Sequence, residues 1–77
     1  MYNIIDRLEA KGWAVSTGRA TNNDGYIIAE QDGKRITIEY VKPADQFRVA
    51  SKGKEAWVDA NSYLPEDFDP AIEEVLS

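Results

Sequence analysis

Two short glycine turns constrain this chain more than any other feature, because each lies between segments in which apolar and polar residues alternate. The first turn is Asp32-Gly33, between YIIAEQ and KRITIEYV. A two-residue Asp-Gly loop is typical of a type I′ β-hairpin, and its length fixes which residues face each other across the strands. We therefore expect Glu30 opposite Arg35, and an inward face formed by Ile27, Ala29, Ile36, Ile38 and Tyr40.

The second turn, Lys52-Gly53, lies between FRVAS and KEAWVDA and predicts another hairpin. Its register predicts an inward face formed by Phe47, Val49, Ala56 and Val58. Arg48 is then opposite Trp57 on the outward face, where a cation–π contact is worth about 0.5 to 1 kcal/mol. With WAVST as a further strand and the turn-rich residues 18–25 as a loop, the chain predicts an antiparallel meander of about five strands.

A helix is predicted at each end of the chain. Asn3 is a suitable N-cap for IIDRLEAK, and Gly12 followed by Trp13 is typical of a Schellman motif, in which Trp13 packs back on the helix. Near the other end, Asp69 is a suitable N-cap and Pro70 a suitable first helical residue. This second helix would pack inward through Phe68, Ile72, Val75 and Leu76. Residues 1–77 therefore predict a single α+β domain, with an N-terminal helix, the meander sheet and a short C-terminal helix.

Several kinds of chemistry are excluded by composition. The chain contains no Cys and no His, so disulfides, thiol or imidazole nucleophiles and the usual zinc sites are not expected. A chain of this length buries only about 60% of the surface that it exposes when unfolded, which makes a deep catalytic cleft unexpected. No segment resembles a signal peptide or approaches the roughly 18 apolar residues of a membrane span. We expect a cytoplasmic protein that is not an enzyme, has no cofactor and does not bind a membrane.

Charge is distributed unevenly along the chain. All nine Lys and Arg residues precede residue 55, whereas residues 55–77 contain seven of the fourteen acidic residues. Such a segment repels the phosphates of nucleic acids and favours a basic protein surface. Negative charge near the start of a helix is stabilising, which accounts for Glu66, Asp67 and Asp69 without a function. Glu73 and Glu74 lie in the second half of the predicted helix, where cations are favoured, so helix stability does not account for them.

On the last predicted strand, Glu55, Trp57 and Asp59 share the outward face, with neighbours about 6.6 Å apart. Carboxylates around an exposed aromatic residue suit a groove lined by Lys and Arg. We therefore predict a non-catalytic binding module or inhibitor that docks on a basic, nucleic-acid-handling protein, by analogy with small acidic proteins of phages and mobile elements. In the strongest form of this prediction the carboxylates replace phosphates, as in a nucleic-acid mimic. The predicted partner-binding residues are Glu55, Trp57, Asp59, Glu66, Asp67, Asp69, Glu73 and Glu74.

Two resemblances to known families concern alternative functions of the chain. Over about residues 3–41, LEAKGW and the hairpin after it resemble RNA-cleaving toxins of the HicA type, whose catalytic His is missing here, so that activity does not carry over. DGYIIAEQDGKRITIEYVK resembles the restriction-endonuclease-like nucleases, in which an Asp and a Glu on hairpin strands hold Mg²⁺. Asp24 and Glu39 match those positions, whereas Val41 replaces the Lys of the motif. The resemblance implies a divalent-metal-dependent nuclease as an alternative function.

The outward face of the sheet gives a further alternative, since Tyr26, Ile28 and Trp57 are expected to lie on it. Exposed apolar residues on a small sheet are typical of a surface that a helix or a second copy of the chain covers. In this alternative the chain is a structural homodimeric subunit, and the sequence leaves a monomer and a homodimer both open.

Overall fold

The computed structural model describes residues 2–18, 26–61 and 64–77, which form two helices and five strands. In chain order these are α1 (Tyr2–Ala10), β1 (Ala14–Gly18), β2 (Tyr26–Gln31), β3 (Lys34–Val41), β4 (Gln46–Ser51), β5 (Lys54–Asp59) and α2 (Phe68–Leu76). Short 3₁₀ helices occupy Lys42–Ala44 and Pro65–Asp67. The predicted α+β fold is confirmed. The predicted loop at residues 18–25 lies, beyond Gly18, outside the described residues.

The five strands form one antiparallel sheet in the order β1-β2-β3-β4-β5, so strands that are consecutive in sequence are neighbours in the sheet. Both predicted hairpin registers are confirmed. Asp32 and Gly33 have φ values of 51° and 78°, and Lys52 and Gly53 have values of 48° and 83°. A type I′ turn requires positive φ at both central residues, which is why Gly occupies the second position of each turn.

The core lies between the two helices and one face of the sheet. The buried sheet residues are Ile27, Ala29, Ile36, Ile38, Phe47, Val49, Ala56 and Val58, and they form one cluster with Ile4 and Leu8 of α1 and Phe68, Ala71 and Val75 of α2. Because strand side chains alternate, the other face of the sheet carries the remaining residues, and no described helix packs on it. No helix in the described ranges is long and apolar enough to cross a membrane.

The end of α1 forms the predicted Schellman motif. The Trp13 N–H donates to the Leu8 carbonyl at 3.0 Å, and the Gly12 N–H donates to the Glu9 carbonyl at 3.0 Å. Gly12 has a φ of 92°, which suits a glycine, and Trp13 is buried. The helix start was predicted too late, because α1 already includes Asn3. An Asn inside a helix costs well under 1 kcal/mol, so it does not prevent an earlier start.

The start of α2 also differs from the prediction. Asp69 is not the N-cap, because the 3₁₀ helix at Pro65–Asp67 leads directly into α2, which begins at Phe68. The Asp67 carboxylate accepts a hydrogen bond from the Leu64 N–H at 2.8 Å, and the Asp67 N–H donates to the Leu64 carbonyl at 2.9 Å. This reciprocal pair begins the helical segment before Asp69, whose carboxylate contacts α1 instead.

Candidate partner-binding site

The outward row of β5 is confirmed. Glu55, Trp57 and Asp59 are exposed, whereas Ala56 and Val58 between them are buried in the core. The Trp57 side chain is 43% exposed, which is unusual for the largest apolar residue type. Asp59 lies at the end of the strand, where its carboxylate accepts a hydrogen bond from the Asn61 N–H at 2.9 Å. Burial therefore does not fix Trp57, and its ring is available to another molecule.

Arg48 lies opposite Trp57 as predicted, but its guanidinium contacts carboxylates. Its Nε donates to Glu55 Oε2 at 2.6 Å and its Nη1 donates to Glu39 Oε1 at 3.1 Å. The hydrogen bond to Glu55, followed by that to Glu39, raises the pKa of Arg48 above its ordinary value. No cation–π contact between Arg48 and Trp57 is found in the described part of the chain, so that prediction is wrong. The charged hydrogen bonds are stronger than the ring contact they replace.

Asp69 joins the two helices. Arg7 Nε donates to Asp69 Oδ1 at 3.1 Å and Arg7 Nη2 donates to Oδ2 at 2.5 Å, which makes a forked ion pair. Lys11 Nζ lies 3.1 Å from the same Oδ2. The Arg7 hydrogen bond, with a smaller contribution from Lys11, lowers the pKa of Asp69 below its ordinary value. Asp69 and Glu55 are therefore paired with cations of the same chain, although residues 55–77 contain no Lys or Arg.

Two further acidic residues lie on the α1 side of α2. Glu73 shares a concavity with Lys11, Trp13 and Asp69. The pKa of Arg7 is raised mainly by its hydrogen bond to Asp69, and the charge of Glu66 adds to this effect. Glu66, Asp69 and Glu73 thus face the basic residues of α1. Asp69 and Glu73 line one concavity, whereas four other predicted residues line a second one.

The other side of α2 forms a groove with β5, which we call the β5–α2 groove. It has a volume of about 330 Å³, and its lining includes Glu55, Ala56, Trp57, Asp67, Pro70 and Glu74. The structure therefore brings together four of the predicted residues, Glu55, Trp57, Asp67 and Glu74. Sequence reasoning missed Ala56 and Pro70 as part of this surface. Their role depends on how α2 packs beside β5, which no local sequence pattern encodes.

The β5–α2 groove is suited to cations. Glu74 has no cationic partner among the described residues, and it lies in the last turn of α2, near the negative end of the helix dipole. Lys54 of β5 donates its ammonium to the Ser77 carbonyl oxygen at the end of α2, and it forms no ion pair with Glu74. Acidic residues that share a groove with an exposed indole can hold a Lys or Arg side chain by ion pairing and by contact with the ring face.

For the nuclease alternative, the structure describes one of the two candidate metal ligands. Asp24 lies outside the described ranges. Glu39 accepts a hydrogen bond from Arg48, which occupies one carboxylate oxygen. Within residues 2–18, 26–61 and 64–77, no group of three acidic side chains is arranged to hold a metal ion.

For the dimer alternative, Ile28 is half-buried and Trp57 is exposed on the open sheet face, while the Tyr26 side chain lies outside the described part.

No family model, no curated protein and no solved structure matches the chain.

Proposed function

We propose that the protein is a non-catalytic binding module that docks the β5–α2 groove on a basic protein surface. The observation that carries the proposal is that exposed Trp57 lines one groove together with the acidic residues Glu55, Asp67 and Glu74. An exposed Trp is a frequent anchor of protein interfaces, and surrounding charge selects the partner and accelerates association. The partner is therefore a protein that presents Lys or Arg side chains, such as one that handles nucleic acids.

The arrangement of charge in the fold supports this surface over the rest of the acidic segment. Asp69 is held by Arg7 and Lys11, so its charge is largely compensated within the chain. The charge of Glu55 is compensated only in part, because its partner Arg48 also pairs with Glu39. Glu74 has no such partner in the described residues. The β5–α2 groove therefore keeps negative charge that is not fully paired within the described residues, and this charge would attract a basic partner.

A matched pair of charge reversals tests the proposal. Glu73 and Glu74 are adjacent and exposed on α2, but only Glu74 lines the β5–α2 groove. Fluorescein-labelled oligolysine is the probe, oligoglutamate of equal length is its control, and fluorescence anisotropy is measured from about 50 to about 300 mM salt. We expect oligolysine alone to bind, with an affinity that falls as salt rises. Glu74→Lys weakens binding about tenfold, as the loss of a charge pair allows, and Glu73→Lys changes it much less.

The control variant makes the result specific. Both substitutions change the net charge equally, so a general attraction between an acidic protein and a cation gives equal losses. Equal effects of Glu73→Lys and Glu74→Lys, with both variants shown to be folded by circular dichroism, contradict a role for the groove. Trp57→Ala is expected to weaken binding further, because a cation over an indole contributes about 0.5 to 2 kcal/mol.

A further inference from the structure

Among the described residues, β5 pairs with β4 alone, and it is the last strand of the order β1-β2-β3-β4-β5. Its other edge is therefore not covered by any described strand. The Ala60 N–H donates to the Asp45 carbonyl at 3.3 Å, which continues the β4–β5 ladder beyond the strand. Because the bonded and non-bonded pairs of an antiparallel ladder alternate, Val58 points its backbone groups towards β4, as does Ala56. The N–H and C=O groups of the alternate residues Glu55 and Trp57 therefore point away from β4.

The β5–α2 groove lies along this edge. Its lining combines Ala56 and Trp57 of β5 with Pro70 and Glu74 of α2, so an extended segment can lie between the strand and the helix. Peptides commonly bind to proteins by adding a strand to such an edge, with main-chain hydrogen bonds for affinity and alternate side chains for specificity. The edge lacks two of the devices that natural sheets use against such pairing, since β5 contains no proline and no bulge.

We propose that a basic segment of another protein adds to β5 as a sixth strand, with Lys or Arg at alternate positions. This inference rests on the proposed function and specifies how the partner binds. On an added strand, every second side chain lies on the same sheet face as Glu55, Trp57 and Asp59. Cations opposite the two carboxylates form cross-strand ion pairs, and a cation opposite Trp57 contacts its ring. The other side chains face α2, where Ala56 and Pro70 leave room for small groups and Glu74 can pair with a further cation.

The charges of β5 also oppose pairing with a second copy of the chain. In an antiparallel pair of β5 strands centred on Trp57, Glu55 of each copy faces Asp59 of the other. Like charges directly opposite each other destabilise a strand pair, and charged residues on edge strands limit self-association. The same carboxylates attract a strand that carries Lys or Arg at those positions. We therefore assign the edge to a basic foreign segment.

Two peptides of equal composition test this assignment with the full chain. In KTKTKTK the four Lys residues share one face of an extended strand, and in KKKKTTT they do not. Affinities are measured by isothermal titration calorimetry, and amide hydrogen exchange is followed by NMR on ¹⁵N-labelled protein. We expect KTKTKTK to bind about tenfold more tightly than KKKKTTT and to slow exchange at Glu55 and Trp57 at least about tenfold. The amides of Ala56 and Val58 already bond to β4, so the peptide changes them little.

N-methylated peptides provide a second test. An added strand directs alternate N–H groups towards β5, so methylating one alternate set of peptide amides abolishes binding and methylating the other set does not. If methylation of either set has the same effect, strand addition is overturned.

The outcomes separate this inference from the function on which it rests. Equal binding of KTKTKTK and KKKKTTT without slower exchange at Glu55 or Trp57 overturns strand addition and leaves a basic partner in place. Failure of both peptides and of oligolysine to bind overturns the two proposals together. Slower exchange at the same amides when the protein alone is concentrated shows that a second copy occupies the edge, which also overturns the assignment.

Discussion

Gly12 provides the sharpest test of how α1 is joined to the sheet. Its φ of 92° lies in the region that disfavours residues with a Cβ. A Cβ on Gly12 would lie 2.8 Å from Gln31 Nε2, which donates a hydrogen bond to the Lys11 carbonyl at 2.8 Å. The substitution Gly12→Ala therefore has two effects: it strains the backbone, and it displaces the Gln31 amide from its acceptor at the end of the helix.

The size of each effect follows from the geometry. A left-handed backbone costs an ordinary residue about 1 to 2 kcal/mol. The Gln31 side chain is flexible and can move away, so the second cost is that of its hydrogen bond, about 0.5 to 1 kcal/mol at this partly exposed position. Gly12→Ala should therefore lower the free energy of unfolding by about 1.5 to 3 kcal/mol, from a total of about 4 to 12 kcal/mol for a chain of this length. The melting temperature falls by about 6 to 24 °C.

Urea denaturation of the wild type and four variants measures the two effects separately. Gly33→Ala is the control, because Gly33 also has positive φ but nothing lies within 4 Å of an added Cβ. It should show the backbone cost alone. In a double-mutant cycle, Gly12→Ala should cost about 0.5 to 1 kcal/mol less in the Gln31→Ala background than in the wild type. A Gly12→Ala cost no larger than that of Gly33→Ala, together with no coupling to Gln31, would refute the reasoning.

Three further predictions concern the core, the helix junction and the groove. Phe68→Ala should lower the free energy of unfolding by about 3 to 5 kcal/mol in urea, because Phe68 is 1% exposed; a loss below about 1 kcal/mol contradicts its place in the core. Asp69→Asn should make the free energy of unfolding fall less steeply as the pH is lowered. Arg7 lowers the pKa of Asp69 in the folded state, so the stability that the Asp69 carboxylate contributes is present above about pH 4 and is lost as pH falls through the folded pKa. An equal pH dependence of the free energy of unfolding in the two proteins contradicts this. Glu74→Lys should raise the free energy of unfolding by about 0.3 to 1 kcal/mol in thermal melts, since it places a cation near the negative end of α2; a lower melting temperature contradicts this.

The hairpins could be predicted because the information for them is local. Each two-residue glycine turn fixes the register of its two strands, and the alternation of apolar residues then fixes the face that is buried. The meander implied that β3 pairs with β4, but the register of this pair could not be predicted in this way. Their connection contains a 3₁₀ helix at Lys42–Ala44 followed by Asp45 with a φ of 52°, which no simple turn rule specifies. The position of Glu39 opposite Arg48 was therefore missed, and with it the ion pair that replaces the expected contact with Trp57.

The acidic residues show the limit of sequence reasoning more clearly. The sequence located the outward row of β5 and the unusual position of Glu74, since both follow from local periodicity. It contained no sign that Asp69 would pair with Arg7, which is 62 positions away. Long-range ion pairs depend on how the helices pack on the sheet, and the same is true of the β5–α2 groove. The charge of a segment can be counted from sequence, but which carboxylates remain uncompensated depends on tertiary structure.

The two carboxylates of α2 that differ most in environment allow a binding surface to be distinguished from a solvated one. Asp69 stabilises the junction of the helices and is already paired, so its removal should affect stability and leave binding at the β5–α2 groove nearly unchanged. Glu74 lies where a cation would stabilise the helix, so its reversal should increase stability and weaken binding. A residue that only adds charge to the surface would not show these opposite effects on stability and binding. If Glu74→Lys leaves oligolysine binding intact while it stabilises the fold, the negative charge at that position contributes neither to folding nor to partner binding.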